Sequence, residues 1–150
     1  MPQSISNVNI HIVFSTKYRQ PLILPEYETD IYGYLGQTMN NLNCQTISVG
    51  GYLDHVHLLC KLYRPLSMSK LVEEVKKSSS KWIKTLDPRL VDFYWQDGYG
   101  VFSVSQSGVQ GVVRYIERQK IHHKKKGFQD EYREIMVAHN IEFDEKYVWD

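Results

Sequence analysis

Residues 44–62, CQTISVGGYLDHVHLLCKL, constrain the fold more than any other stretch of this 150-residue chain. Two apolar, β-rich runs flank a turn near Gly50–Asp54, so the segment reads as a β-hairpin. Its neighbours on both sides carry a different period. Upstream, in residues 8–16, Val8, Ile10, Ile12 and Phe14 alternate with Asn9, His11 and Ser15, the signature of a strand. Tyr27, Ile31, Tyr34, Leu35, Thr38, Met39 and Leu42 then recur at helical spacing, predicting a helix over residues 26–42 that stops at Asn40, Asn41 and Asn43. Downstream, Leu71, Val75, Trp82 and Leu86 mark a second helix over residues 67–86, with Ser67 or Ser69 as its cap. Residues 93–105 are aromatic and β-branched, with a turn at Asp97-Gly98, and supply a further strand or two short ones. Helices over residues 107–121 and 128–139 complete the chain.

The element order β-α-β-β-α-β predicts an α+β, ferredoxin-like (RRM-like) antiparallel sheet with helices on one face, followed by extra C-terminal helices. Length predicts a single domain over residues 1–150. No apolar run approaches the roughly 18 residues of a membrane span, and the polar opening MPQSISNVNI does not read as a signal peptide. Cys44 and Cys60 form no CxxC pair and read as buried free thiols, which fits a cytoplasmic protein.

Charge is unevenly spread. The net charge of +1 resolves into −2 for residues 1–60, +8 for residues 61–126 and −5 for residues 127–150. A basic middle section favours an anionic partner, although solvated helix faces give the same count. Lys77, Lys81 and Lys84 on the second helix, Arg114 and Arg118 on the third, and the run Lys124, Lys125 and Lys126 after it are candidate phosphate contacts.

His55 and His57 stand two apart on one strand, so both imidazoles project from one face about 6–7 Å apart along it. Two imidazoles converging from that spacing can reach one metal ion at about 2.0–2.2 Å. Val56 and Leu58 point to the opposite face and anchor the strand in the core. A bare HxH also occurs in strands whose histidines are only hydrogen-bonded core residues. A second feature adds weight: Tyr115 and Gln119, four apart in VVRYIERQKIHHKKK, share a helix face. A tyrosine hydroxyl can serve as a covalent nucleophile, and a glutamine amide oxygen as a neutral third metal ligand. His122, seven residues after Tyr115, and His11, on the first strand, are secondary candidates for the same neighbourhood.

The His55-Val56-His57 triplet, followed about 60 residues later by helical Tyr115-x-x-x-Gln119, resembles the single-tyrosine HUH transposases of the IS200/IS605 type. HIVFSTKYRQPLI resembles that family's first strand and YVWD its end, so the similarity runs over residues 8–149. The resemblance implies a single-stranded DNA transposase. Tyr115 would attack a phosphodiester to leave a 5′-phosphotyrosine and a 3′-hydroxyl, and strands would then be rejoined without a nucleotide cofactor. It implies a divalent cation, Mg²⁺ or Mn²⁺, held by His55, His57 and Gln119, with zinc disfavoured because no Cys or third His joins the set. It also implies hairpin-bearing single-stranded DNA as substrate and a homodimer in which the Tyr115 helix completes the partner's metal site, with Gly108 and Gly111 lending mobility. No dedicated base for Tyr115 is evident, so either metal proximity or local cations such as Arg114, Arg118 and Lys120 are expected to lower its pKa. The protein would sit in a prokaryotic cytoplasm, on the nucleoid when bound to DNA. Three alternatives remain: a domesticated nuclease of the same family that processes repeat hairpins, a non-catalytic single-stranded nucleic-acid-binding module, and a metal-dependent phosphohydrolase using the His pair, which would want further carboxylate or His ligands in short motifs.

Overall fold

A computed structural model describes residues 2–150. Four strands, β1 (Asn9–Ser15), β2 (Thr46–Tyr52), β3 (His55–Lys61) and β4 (Gly100–Val104), form one antiparallel sheet in the order β2-β3-β1-β4. That is the ferredoxin-like arrangement read from the sequence. Helices α1 (Glu28–Asn41) and α2 (Met68–Ile83) cross between strands and cover one face. The hydroxyl of Ser67 caps α2 by accepting from the Lys70 amide.

Strand alternation sends Ile10, Ile12, Phe14, Val56, Leu58 and Cys60 into the core beneath α1 and α2, against Ile31, Leu35, Leu71 and Val75. The opposite face is also buried. Val13 and Phe102 meet Phe128, Tyr132 and Met136 of a C-terminal helix, here α5 (Phe128–Ala138). Leu59 meets Val109 and Ile116 of α3 (Val109–Glu117). Both faces of β1 and β3 are therefore dry, and a polar side chain there must find partners inside the protein.

The single helix expected over residues 107–121 is broken. A 3₁₀ turn (Gln106–Gly108) opens it, and the chain leaves helical geometry at Arg118 (φ −96°, ψ 12°) before a short α4 (Gln119–His122). Neither Pro nor Gly marks the break. It coincides with Gln119, whose amide is hydrogen-bonded at both ends inside the protein. Tertiary hydrogen bonding thus overrides local helix propensity here. Among the described residues no helix is long and apolar enough to cross a membrane.

Candidate active site

His55 and His57 project from β3 onto the sheet face covered by α3, α4 and α5, and both are fully buried. Each is anchored through Nδ1. Asp54, which closes the β2–β3 turn, places Oδ1 2.8 Å from His55 Nδ1. His11, across the sheet on β1, places Nε2 2.8 Å from His57 Nδ1. Strands β1 and β3 are neighbours, so the alternation that hides Ile10 and Ile12 under α1 and α2 delivers His11 to the histidine face. Both Nε2 atoms then face one point between sheet and helices. Anchoring one ring nitrogen so that the other is aimed is how metal-binding histidines are generally oriented.

Three further groups reach that point. Gln119 Oε1 lies 2.9 Å from His55 Nε2. The Tyr115 hydroxyl donates to Glu131 Oε2, and the Gln119 amide donates to the same oxygen at 3.0 Å. Glu131 Oε1 lies 3.3 Å from His55 Nε2 and 3.1 Å from His57 Nε2. Glu131 comes from the first turn of α5 and is 1% exposed. His123 Nε2 approaches its Oε1 to 3.2 Å and His122 Nε2 its Oε2 to 3.4 Å, but neither imidazole nitrogen has a hydrogen-bond partner.

The electrostatics follow from this packing. Burial disfavours the His55 cation, yet its contacts with Asp54 and Glu131 more than offset that and hold its pKa up at about 9. Burial dominates for His57 and lowers it. Burial, reinforced by His57, drives His11 down to about 3, so it stays neutral. Burial alone would raise Glu131, but His123, His55 and His57 outweigh it and keep the carboxylate ionised. Burial and then the Glu131 anion push the Tyr115 phenol well above its ordinary value. The expectation that Arg114, Arg118 and Lys120 lower that pKa is not met: a buried anion stands closer, and Lys120 pairs with Glu28.

The donor set fits a divalent cation. Neighbouring ligands of an ion bound at 2.0–2.2 Å stand about 2.8–3.6 Å apart, the spacing at which His55 Nε2 meets Gln119 Oε1 and Glu131 Oε1 meets both Nε2 atoms. His55, His57 and Glu131 form one group able to hold an ion, and His122, His123 and Glu131 another. Contrary to the expectation that no third histidine would join the set, His123, its side chain 2% exposed, lies against the same carboxylate.

Residues 4–119 match the family model described as IS200-like transposase. The chain belongs to that family. The matched segment includes His55, His57, Tyr115 and Gln119 and ends before His122, His123 and Glu131. A curated relative, the ISDra2 transposase TnpA of Deinococcus radiodurans, is 22% identical over 120 residues, covering 77% of this chain and 86% of the relative. Two solved structures share the fold. One, described as a transposase from Deinococcus radiodurans R1, has a TM-score of 0.62 at 20% identity, over 79% of this chain and 98% of the other. The second, a REP-associated tyrosine transposase bound to a REP hairpin, has a TM-score of 0.60 at 13% identity, over 82% and 72%.

In this IS200-like transposase the predicted phosphate contacts divide into three sets. Arg114 and Arg118 flank Tyr115 in an open cleft of about 420 Å³ with Gly111, Ile121 and His122. Lys77 and Lys81 lie on α2, on the far side of the sheet from the histidines, in a groove of about 650 Å³ shared with Tyr94 and Tyr99. Lys84 is drawn inward instead: its ammonium donates to the Phe93 carbonyl at 2.5 Å and sits 4.0 Å over the Tyr94 ring. Lys124 and Lys125 are exposed after α4, whereas Lys126 pairs with Glu134.

Proposed function

We propose that this transposase cleaves and rejoins single-stranded DNA at hairpin-bearing ends, with Tyr115 as the nucleophile. One observation carries the reading: the tyrosine hydroxyl, the Gln119 amide and both His55 and His57 converge on one buried point beside a cleft lined by two arginines. A divalent cation held by His55, His57 and Gln119 would neutralise a scissile phosphate and orient it for in-line attack. Mg²⁺ and Mn²⁺ are its candidates, and the imidazoles favour Mn²⁺.

Arg114 and Arg118, on the solvent side of Tyr115, bind the incoming backbone and align its phosphorus with the phenol oxygen. The buried His face keeps bulk water from competing with the phenol. Attack by Tyr115 Oη forms the phosphorus–tyrosine bond and breaks the phosphorus–O3′ bond, and the proton the phenol loses passes in net to O3′, releasing the 3′-hydroxyl. The linkage retains the ester's energy, so a second 3′-hydroxyl can displace the tyrosine without a nucleotide cofactor. Lys77 and Lys81 beside Tyr94 and Tyr99 suit a flanking single strand, whose phosphates need cations and whose unpaired bases need aromatic faces.

Tyr115 and Gln119 reach the histidines of their own chain. The homodimer with composite sites would form by exchange of the α3–α5 unit between two chains, and light scattering on the metal-loaded protein distinguishes it from a monomer complete in itself. A hairpin-processing role within the same family uses the same chemistry. The solved relative bound to a REP hairpin favours hairpin DNA as the form of the substrate.

The test mixes purified protein, Mn²⁺ and labelled single-stranded hairpins from the flanks of its gene, with Tyr115→Phe in parallel. A covalent protein–DNA adduct on a denaturing gel that vanishes in the variant is the expected result. Cleavage that survives Tyr115→Phe refutes the tyrosine mechanism. Hairpin binding with no adduct points to the non-catalytic module.

A further inference from the structure

We propose that Glu131, on α5 beyond the segment matched to the family, is a further, anionic protein ligand of the divalent cation beside His55, His57 and Gln119; this rests on the metal-assisted reading above. The carboxylate is completely buried, yet no lysine or arginine pairs with it. Tyr115 and Gln119 donate to Oε2, and the rest of its surroundings are imidazoles: His55, His57 and His123 about Oε1, and His122 near Oε2. A buried carboxylate normally requires a cation and full hydrogen bonding. In the metal-free protein the His55 cation meets that need, and the same four imidazoles are a good set of ligands and neighbours for a metal ion.

Two observations separate this reading from a plain counter-ion role. Oε1 stands at ligand spacing from both aimed Nε2 atoms, closing a three-point set with His55 and His57. His122 and His123 also turn buried Nε2 atoms toward the carboxylate at 3.2–3.4 Å without forming a hydrogen bond to anything. Leaving such a nitrogen unpaired costs about 1–3 kcal/mol, so two of them on one carboxylate mark a place that the side chains alone do not satisfy.

The element carrying Glu131 is held firmly. Phe128, one turn earlier, stacks on the His55 ring with centroids 4.6 Å apart, and Tyr132 stacks on Phe128 at 5.4 Å. Met136 continues the same face into the core against Val13 and Phe102. The carboxylate is thus set by a packed helix and not by a loop.

Its charge changes what the site can do. With two imidazoles and the neutral Gln119, an ion has no anionic protein ligand. With Glu131 the ion is retained before DNA arrives. Two imidazoles in the set also favour a softer divalent ion such as Mn²⁺ over Mg²⁺.

The test is isothermal titration of the DNA-free protein with Mn²⁺ alone, for wild type, Glu131→Gln, Glu131→Asp, His57→Ala and, as an exposed control on the same helix, Glu134→Gln. Glutamine keeps the shape and can still accept from Tyr115, and circular dichroism of each metal-free variant reports its fold. Wild type and Glu134→Gln should bind one tight Mn²⁺, Glu131→Gln should bind at least tenfold more weakly, and Glu131→Asp should recover part of the loss. Wild-type affinity in a folded Glu131→Gln, with binding lost in His57→Ala, overturns this assignment and leaves the metal-assisted reading standing. Wild type that binds no Mn²⁺, with or without hairpin DNA, overturns both.

Discussion

Gly50→Ala tests whether the close seating of α3 on the sheet is what positions Tyr115. Gly50 lies on β2 opposite His57, directly under α3. No glycine among the described residues has positive φ, so alanine adds no backbone strain there. It adds only a methyl group. That methyl would meet Ile116 Cγ2 at 2.8 Å and the Ile116 carbonyl oxygen at 3.0 Å. Carbon atoms rest at about 3.5–4.0 Å, so the helix must lift by roughly 0.7 Å at the residue after Tyr115. Overpacking of this kind costs about 1–3 kcal/mol, and in a chain of this length each 1 kcal/mol lowers Tm by about 2–4 °C. Function should suffer more than stability, because misplacing a reacting group by about 1 Å costs on the order of 100-fold. The assay pairs a thermal melt with the rate of covalent adduct formation on a labelled hairpin oligonucleotide. The expected variant is folded, with a lower Tm and an adduct rate down about 10–100-fold. An adduct rate within about threefold of wild type, alongside the lowered Tm, would refute the argument that this contact sets the tyrosine.

Two other outcomes follow from the histidine network. Held at about 9 against 6.5 in the unfolded chain, protonated His55 stabilises the metal-free fold fully below pH 6.5, and that contribution is lost as pH rises through 9. Between pH 6.5 and 8 this contribution falls by about 1.5 kcal/mol, offset in part by His11 and His57, whose lowered pKa values add stability as pH rises through 6.5, and by buried Lys76, lowered to about 8, so the EDTA-treated protein should show a small fall in Tm. A Tm that is flat or rises over that interval contradicts the Asp54–His55–Glu131 arrangement. His11→Ala removes the partner of His57 Nδ1, and loss of such an orienting group should weaken Mn²⁺ binding about 10–100-fold in titration calorimetry. Unchanged affinity in a folded variant would reduce His11 to packing.

Much of this was legible in the chain because two periodicities do most of the work. The alternation in VNIHIVF and HVHLLC identifies the strands, and it assigns His11, His55 and His57 to the face opposite Ile10, Ile12, Val56 and Leu58. Helical spacing locates α1, α2 and α5 within a few residues. The break at Arg118 was not legible, since no residue there disfavours helix; the tertiary hydrogen bonds of Gln119 decide it. Glu131 was missed although its sequence held a signal. Phe128, Tyr132, Ile135 and Met136 form an apolar helix stripe, and Glu131 is a charge within it. A carboxylate aimed into a core needs a partner, and this one's partners lie up to 76 residues away, at His55.

The sequence by itself determined which elements form, which side chains share a face and, through HxH and YxxxQ, which family the chain resembles. Those are local properties, set by periods of two and 3.6 residues and by the identities of single side chains. Only the tertiary structure decided that Asp54, His11 and Glu131 join the site, that Lys84 and Lys126 turn to partners of their own, and that the tyrosine rests against an anion. Such outcomes depend on which distant groups become neighbours when both faces of the sheet are buried, because a polar group sealed from water is satisfied only by whatever the fold brings to it.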